Sequence, residues 1–355
     1  MPELFLDANA HLPMNPKAVK AFVDFNQSLA GHGHAMASSA PGRKAAGAIE
    51  EARKKIAQLI GAEKPDQIVF TSSCTQACEW GLNLLKQQGF NKVYRSQIEH
   101  KAVSEKAKEL FPNSEELYPS KNGLVACGFN PEPSAAFVCM HVQNEIGTIQ
   151  KIDTIKVPFF CDMSQSLGKT KVNVSSMPNL KVAVFGAHKF GGPVGVGFMY
   201  VKDTSWWKAF GSGSRYYMDR PGTPDAGMIV ATAIALEEAI KSFPERYGNA
   251  VLFQDIIEAK IESKGLSIIG KDRIPFTTFF KVGGNRGPYL MAQMETEGMY
   301  IGLGSACGSV TATSSALMTA MGHGGSAQDY VRISTWGEYG VNEAKTVARA
   351  IAKYC

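Results

Sequence analysis

The alternation of strand and helix patterns that begins at Gln67 restricts this chain's fold more than any other feature in it. Gln67-Ile-Val-Phe-Thr71 has the β-branched and aromatic content of a buried strand. The polar turn Ser72-Ser-Cys-Thr-Gln76 then leads into a helical pattern over 77–87. Lys92-Val-Tyr-Arg95 repeats the unit, with Ile98-Glu-His-Lys101 opening a helix that ends near Phe111. Ala135-Ala-Phe-Val-Cys-Met-His141 and Val157-Pro-Phe-Phe-Cys161 add two strands, the second ending on Asp162. Such alternation predicts an α/β fold, a parallel sheet with helices on both faces whose ligands lie beyond the carboxyl ends of the strands. Those ends deliver in turn Thr75, His100, Asn144, Asp162 with Gln165, and His188 with Lys189.

The last exit lies in Val182-Ala-Val-Phe-Gly-Ala-His-Lys-Phe-Gly-Gly-Pro-Val-Gly-Val-Gly-Phe-Met-Tyr-Val201, where two apolar runs flank a lysine walled in by glycines. Lys189 there has two readings: a surface residue capping a loop, or a partly desolvated amine able to form an imine with a carbonyl. The rest of the rim supplies a residue for each task of one cofactor, pyridoxal phosphate. Asp162 would pair with the pyridine nitrogen and keep the ring an electron sink. The turn through Cys74 and Thr75 opens a helix, so its N–H groups and the Thr75 hydroxyl suit a phosphate dianion. His100 has a flat ring to stack on the pyridine and an imidazole for proton transfer. Gln165 and Asn144 would donate to the phenolic oxygen.

Composition narrows the partners. The chain has 355 residues, 45% hydrophobic and 19% charged, with a net charge of +5 spread without a polybasic block. That balance argues against nucleic acid or an anionic membrane as the main partner. No apolar segment is long enough to cross a bilayer, and the start Met1-Pro-Glu-Leu-Phe-Leu-Asp7 lacks an export-signal pattern. Seven cysteines without framework spacing fit a reducing compartment, so a cytoplasmic protein is expected. His32 and His34, two apart in a loop of small residues, have no third ligand at suitable spacing, and no metal site is expected there.

The ordered motifs resemble those of the cysteine desulfurases, in the class V, fold-type I pyridoxal-phosphate family. They run from Leu6-Asp7-Ala-Asn9-Ala10 through Val69-Phe-Thr-Ser72 with Thr75, Glu99-His-Lys-Ala-Val103, His141-Val-Gln-Asn-Glu-Ile-Gly147 and Asp162-Met-Ser-Gln-Ser166. Gly186-Ala-His-Lys189, Arg220-Pro-Gly-Thr-Pro224, Gly304-Ser-Ala-Cys-Gly-Ser309 and Val331-Arg-Ile-Ser334 complete the series. The resemblance implies a large cofactor-binding domain over 13–240 and a smaller α+β domain from 1–12 with 241–355. It implies a homodimer in which Thr223 reaches the phosphate of the partner subunit's cofactor. It implies that L-cysteine replaces Lys189 in the imine, with its carboxylate held by Arg332 and Asn144. Lys189 then moves protons at the substrate Cα, and Cys307 takes the sulfur as a persulfide, leaving alanine. An acceptor protein would receive that sulfur for iron–sulfur cluster assembly or thiolation.

The residues agree with two of those roles on physical grounds. Arg332 sits in the apolar run Tyr330-Val-Arg-Ile333, which suits a buried, specific cation better than a surface ion pair. Cys307 is flanked by Gly and Ser, whereas Cys139 and Cys161 sit among large apolar residues as structural cysteines do, so Cys307 reads as the reactive thiol. His100 is the candidate acid or base near the thiols. Several words depart from the family pattern. Ser73-Cys74 stands for Gly-Ala, Gln76 for Glu, Gly186 for Ser, and the links 119–135 and 150–162 are short. Selenocysteine lyase, aminotransferase and a non-catalytic sulfur-relay scaffold remain alternatives; transamination has no use for Cys307, and a scaffold needs neither Lys189 nor Asp162.

Overall fold

The computed structural model describes residues 3–126, 132–209, 223–304 and 316–355. Cys127, Arg220, Cys307 and the loop from Gly211 lie outside the described residues. Two sheets organise the chain. In the larger, β2 (Ile68–Thr71), β3 (Lys92–Ser96), β4 (Glu115–Leu117), β5 (Ala135–Met140), β6 (Phe159–Asp162), β7 (Leu180–Gly186) and β8 (Gly197–Val201) lie in the order β2-β8-β7-β6-β5-β3-β4. Strand β8 runs antiparallel to both its neighbours, and every other neighbouring pair is parallel. In the smaller, the N-terminal strand β1 (Leu4–Leu6) pairs in parallel with β11 (Met299–Leu303). The order continues through β12 (Tyr330–Ser334) and β10 (Thr277–Lys281) to β9 (Ser267–Ile268), all antiparallel.

The large sheet is buried on both faces, which is why its strands read as continuous apolar runs. Along β7 the side chains alternate. Val182 and Val184 face a core shared with α3 (Cys74–Gln87) and α4 (Lys101–Leu110), while Ala183 and Phe185 face the core of α1 (Pro16–Gln27), α2 (Ala40–Ile60) and α6 (Ala226–Lys241). A short helix, α5 (Thr204–Ala209), follows β8. The small sheet packs on α7 (Phe243–Ser263), α8 (Gly287–Thr296) and α10 (Val341–Tyr354), and α9 (Ala316–Ala320) precedes β12. Among the described residues no helix is long and apolar enough to cross a membrane.

Helix starts follow their caps. Asn15 accepts from Lys17 N at 2.9 Å, with Pro16 in the first turn of α1. Helix α2 begins at Ala40, because Ser39 accepts from Gly42 N and Pro41 suits a first turn. Helix α3 begins at Cys74, not Ala77: the Ser73 hydroxyl accepts from Gln76 N at 3.1 Å, which draws Cys74 and Thr75 into the first turn. The expected alternation lapses after β5. Between β5 and β6 there is only a 3-10 turn, Ile152–Thr154, and between β6 and β7 another, Val174–Ser176.

Candidate active site

A cavity of about 370 Å³ opens at the carboxyl ends of the large sheet, and Cys74, Thr75, His100, Asn144, Asp162, Gln165, His188, Lys189 and Arg332 all line it. The turn before α3 is stapled by its own side chains. Thr71 Oγ1 donates to Ser73 O at 2.8 Å, and Gln76 Oε1 accepts from Ser72 N at 2.9 Å. Glycine is required opposite it: a Cβ on Gly197 would stand 2.4 Å from the Ser73 carbonyl carbon. The result is a rigid helix N-terminus with the Thr75 side chain at the cavity wall, an arrangement that favours an anion.

Asp162 ends β6, is 6% exposed, and is oriented by Ser164 N, which donates to its Oδ1 at 2.9 Å. Lys189 ends the short 3-10 turn after β7, and its Nζ donates to Asn9 O at 2.8 Å and Ala10 O at 2.7 Å. Its neighbour His188 stacks on His11 with ring centroids 5.9 Å apart. Burial, then the charge of Lys189, pushes His188 down to about 4, so the ring is neutral near pH 7. His100 caps α4, its Nδ1 accepting from Ala102 N at 3.2 Å. That bond leaves a hydrogen on Nε2 in the neutral ring.

Arg332 reaches the cavity from the other sheet. On β12 and 1% exposed, it donates from Nε and NH2 to Asp7 Oδ1, at 3.2 and 2.6 Å, and from NH1 to Asn144 O at 3.1 Å. Gly302 makes room for that pair, since a Cβ there would come 2.7 Å from Asp7 Oδ1. Thr223 shares a 3.0 Å hydrogen bond with His34 Nε2, and His34 Nδ1 accepts from Met36 N.

Three polar residues in or behind the site, Asn9, Lys169 and Glu99, have roles that sequence reasoning does not assign. Asn9, 2% exposed, is a hub: its backbone carbonyl accepts from Lys189 and from Gln165 Nε2, and its amide nitrogen donates to Asn144 O and Thr277 Oγ1. Lys169 is fully buried and donates to Asn9 Oδ1 at 2.8 Å and Gln165 Oε1 at 2.5 Å. Burial, then the charges of Lys189 and Arg332, holds its ammonium well below the usual lysine range. Gln165 is thus engaged at both ends of its amide by Asn9 and Lys169. Glu99, half-buried with its Oε2 out of reach of solvent, accepts from Ser96 Oγ and Met140 N through Oε1. Burial pushes it up to about 8, assisted by the nearby Asp162.

A family model described as Aminotransferase class-V matches residues 4–336. A protein of Dictyoglomus turgidum named Cysteine desulfurase IscS is 28% identical over 344 residues, covering 90% of this chain and 86% of that one. Among solved structures, a NifS-like protein superposes with a TM-score of 0.85 at 23% identity, covering 99% of both chains. A structure titled SspA in complex with cysteine reaches 0.77 at 25% identity, covering 96% of this chain and all of the other.

Proposed function

The chain belongs to the class-V aminotransferase family, and we propose that it converts L-cysteine to L-alanine, with the sulfur taken by Cys307 as a persulfide. The observation that carries this reading is the meeting of Arg332 from the small sheet with Lys189 and Asp162 from the large one at a single cavity. Relatives named cysteine desulfurase, and a similar structure titled as a complex with cysteine, support that substrate.

The residues present fit pyridoxal phosphate: a lysine amine, a buried and oriented carboxylate, and a helix N-terminus beside a hydroxyl. Lys189 would hold its aldehyde carbon, Asp162 its ring nitrogen, and Thr75 with the N–H groups of Cys74 and its neighbours its phosphate. When bound, that cofactor supplies an electron sink for bonds broken at the substrate Cα. Arg332 receives the substrate carboxylate in a charge-assisted pair, its guanidinium plane already set by Asp7. Lys189 removes and returns the Cα proton, while Asn9 and Ala10 hold its amine at the cavity until it is used. Neutral His188 adds no further positive charge beside that amine. His100 serves as proton carrier for the thiols.

The Cys307 thiolate attacks the substrate sulfur, an S–S bond forms as the Cβ–S bond breaks, and the carbon gains a proton. L-cysteine and the Cys307 thiol thus become L-alanine and a Cys307 persulfide. The outer sulfur then passes to an acceptor protein for iron–sulfur assembly or thiolation. The enzyme works as a homodimer, with a large domain over 13–240 and a small one from 1–12 and 241–355. The seating of β1 beside β11 supports that division.

The test is to incubate the purified enzyme with L-cysteine and measure alanine, sulfide and the mass of the Cys307 peptide. Alanine production with one added sulfur on Cys307 is expected. Equal alanine from a Cys307→Ala variant refutes the persulfide step, and a visible cofactor band that survives Lys189→Ala refutes the assignment of the amine.

A further inference from the structure

Because α3 begins at Cys74, it presents Cys74 and Cys78 four residues apart on one helical face, towards the end of β6. The two sulfurs and a carboxylate oxygen of Asp162 lie within 4.8 Å of one another, and all three residues line the cavity. Cys78 is 1% exposed and Asp162 6%. Ser164 supports both outer members: its N donates to Asp162 Oδ1, and its Oγ lies 2.9 Å from Cys74 Sγ.

Four-residue spacing on a helix keeps β-carbons about 5–6 Å apart, wider than the roughly 3.5–4.5 Å of a disulfide. It is, however, a spacing from which helices offer two ligands to one metal ion. Two thiolates on a tetrahedral ion at about 2.3 Å stand about 3.8 Å apart, a separation within the 4.8 Å that bounds the three ligand atoms here. Sulfur donors with one carboxylate suit zinc-class ions and not magnesium or calcium, which take oxygen sets. Three protein ligands leave a fourth position facing the cavity that Lys189 also lines.

We infer that Cys74, Cys78 and Asp162 bind one zinc-class divalent cation in the cofactor-free chain, and that this ion and the cofactor exclude each other through the shared Asp162. The exclusion rests on the assignment of Asp162 to the cofactor ring; the metal site does not. Uptake involves no redox change: the cation replaces the two thiol protons, which leave to solvent.

The experiment compares the full-length chain with and without pyridoxal phosphate, using Zn²⁺ in equilibrium dialysis and Co²⁺ as a spectroscopic probe. One Zn²⁺ per cofactor-free chain is expected, with a thiolate-to-cobalt charge-transfer band. Both should weaken at least tenfold in Cys78→Ala and in Cys74→Ala, and persist in Cys307→Ala. Cys74→Ala guards against misfolding of the other variant, since the site of Cys74 is only half-buried and the helix tolerates alanine. Pyridoxal phosphate should release the ion. Absence of stoichiometric binding, or binding lost only in Cys307→Ala, overturns the site and leaves the desulfurase reading standing. Binding that persists undiminished beside bound cofactor overturns the exclusion and the role of Asp162, while alanine formation still reports on the reaction itself.

Discussion

Replacing Glu99 by Gln should remove a pH-dependent weakness from the folded chain. Glu99 Oε1 accepts from Ser96 and Met140, and Oε2 has no hydrogen-bond partner among the described residues. Glutamine keeps the accepting oxygen and puts a neutral amide where the orphan oxygen stood. Burial raises the Glu99 carboxyl from its ordinary 4.5 to about 8. Between those values the folded chain keeps a proton that the unfolded chain releases, so stability falls as pH rises. The slope for one proton is about 1.4 kcal/mol per pH unit. Across about 3.5 pH units the loss reaches about 5 kcal/mol, complete above pH 8. The difference in unfolding free energy, Glu99→Gln minus parent, should therefore climb by that slope from about pH 5 to 8 and then level off. Urea titrations of both proteins at each pH measure it, and comparison at matched pH cancels the other titrating groups. The parent-minus-variant infrared difference spectrum at pH 6 should contain one protonated carboxyl band, since Glu145, raised to about 7 by burial, contributes equally to both proteins. A difference that stays flat from pH 5 to 8 would refute the reasoning.

Gly197→Ala forces a methyl group against the Ser73 backbone, so cofactor retention in dialysis should fall at least tenfold, with stability lowered by about 1–3 kcal/mol. Lys169→Met leaves Asn9 Oδ1 and Gln165 Oε1 without their buried donor, and should cost about 1–3 kcal/mol in urea unfolding. Arg332→Lys cannot keep three directed bonds to Asp7 and Asn144; kcat/KM for L-cysteine should fall at least tenfold while the cofactor's visible band remains. Arg246→Ala strips donors from the carbonyls of Trp336, Gly168 and Ala239, and should lower stability by about 3 kcal/mol or more in thermal or urea unfolding.

Much of the fold was legible because the central strands are buried on both sides and need no polar face. Strand β8 occupies Gly197–Val201, as its apolar run predicts, yet an apolar run carries no direction, so its antiparallel setting was hidden. His100, Asp162, His188 and Lys189 stood out because each ends or follows a strand, and Arg332 because it interrupts an apolar run. Asn9 and Lys169 did not: their partners come from segments far apart in the chain, and a lysine between Gly168 and Thr170 looks like any turn lysine. The pairing of Cys74 with Cys78 was concealed by placing the helix start three residues late, which left Cys74 in a turn rather than on a helical face.

Strand β1 joins segments far apart along the chain, with Leu4 beside Met299 and Asp7 bonded to Arg332. The carbonyls that hold Lys189 belong to that same opening segment. During translation, at about 5–20 residues per second, the first of these partners waits about 15–60 s for the last. A nascent chain made only as far as Lys189 therefore has the amine and the two carbonyls that hold it, but not the strand that closes the sheet edge beside them. The sheet edge beside Lys189 closes only after Arg332 has been made, and under the proposed reaction pyridoxal phosphate meets a complete pocket only from that point on.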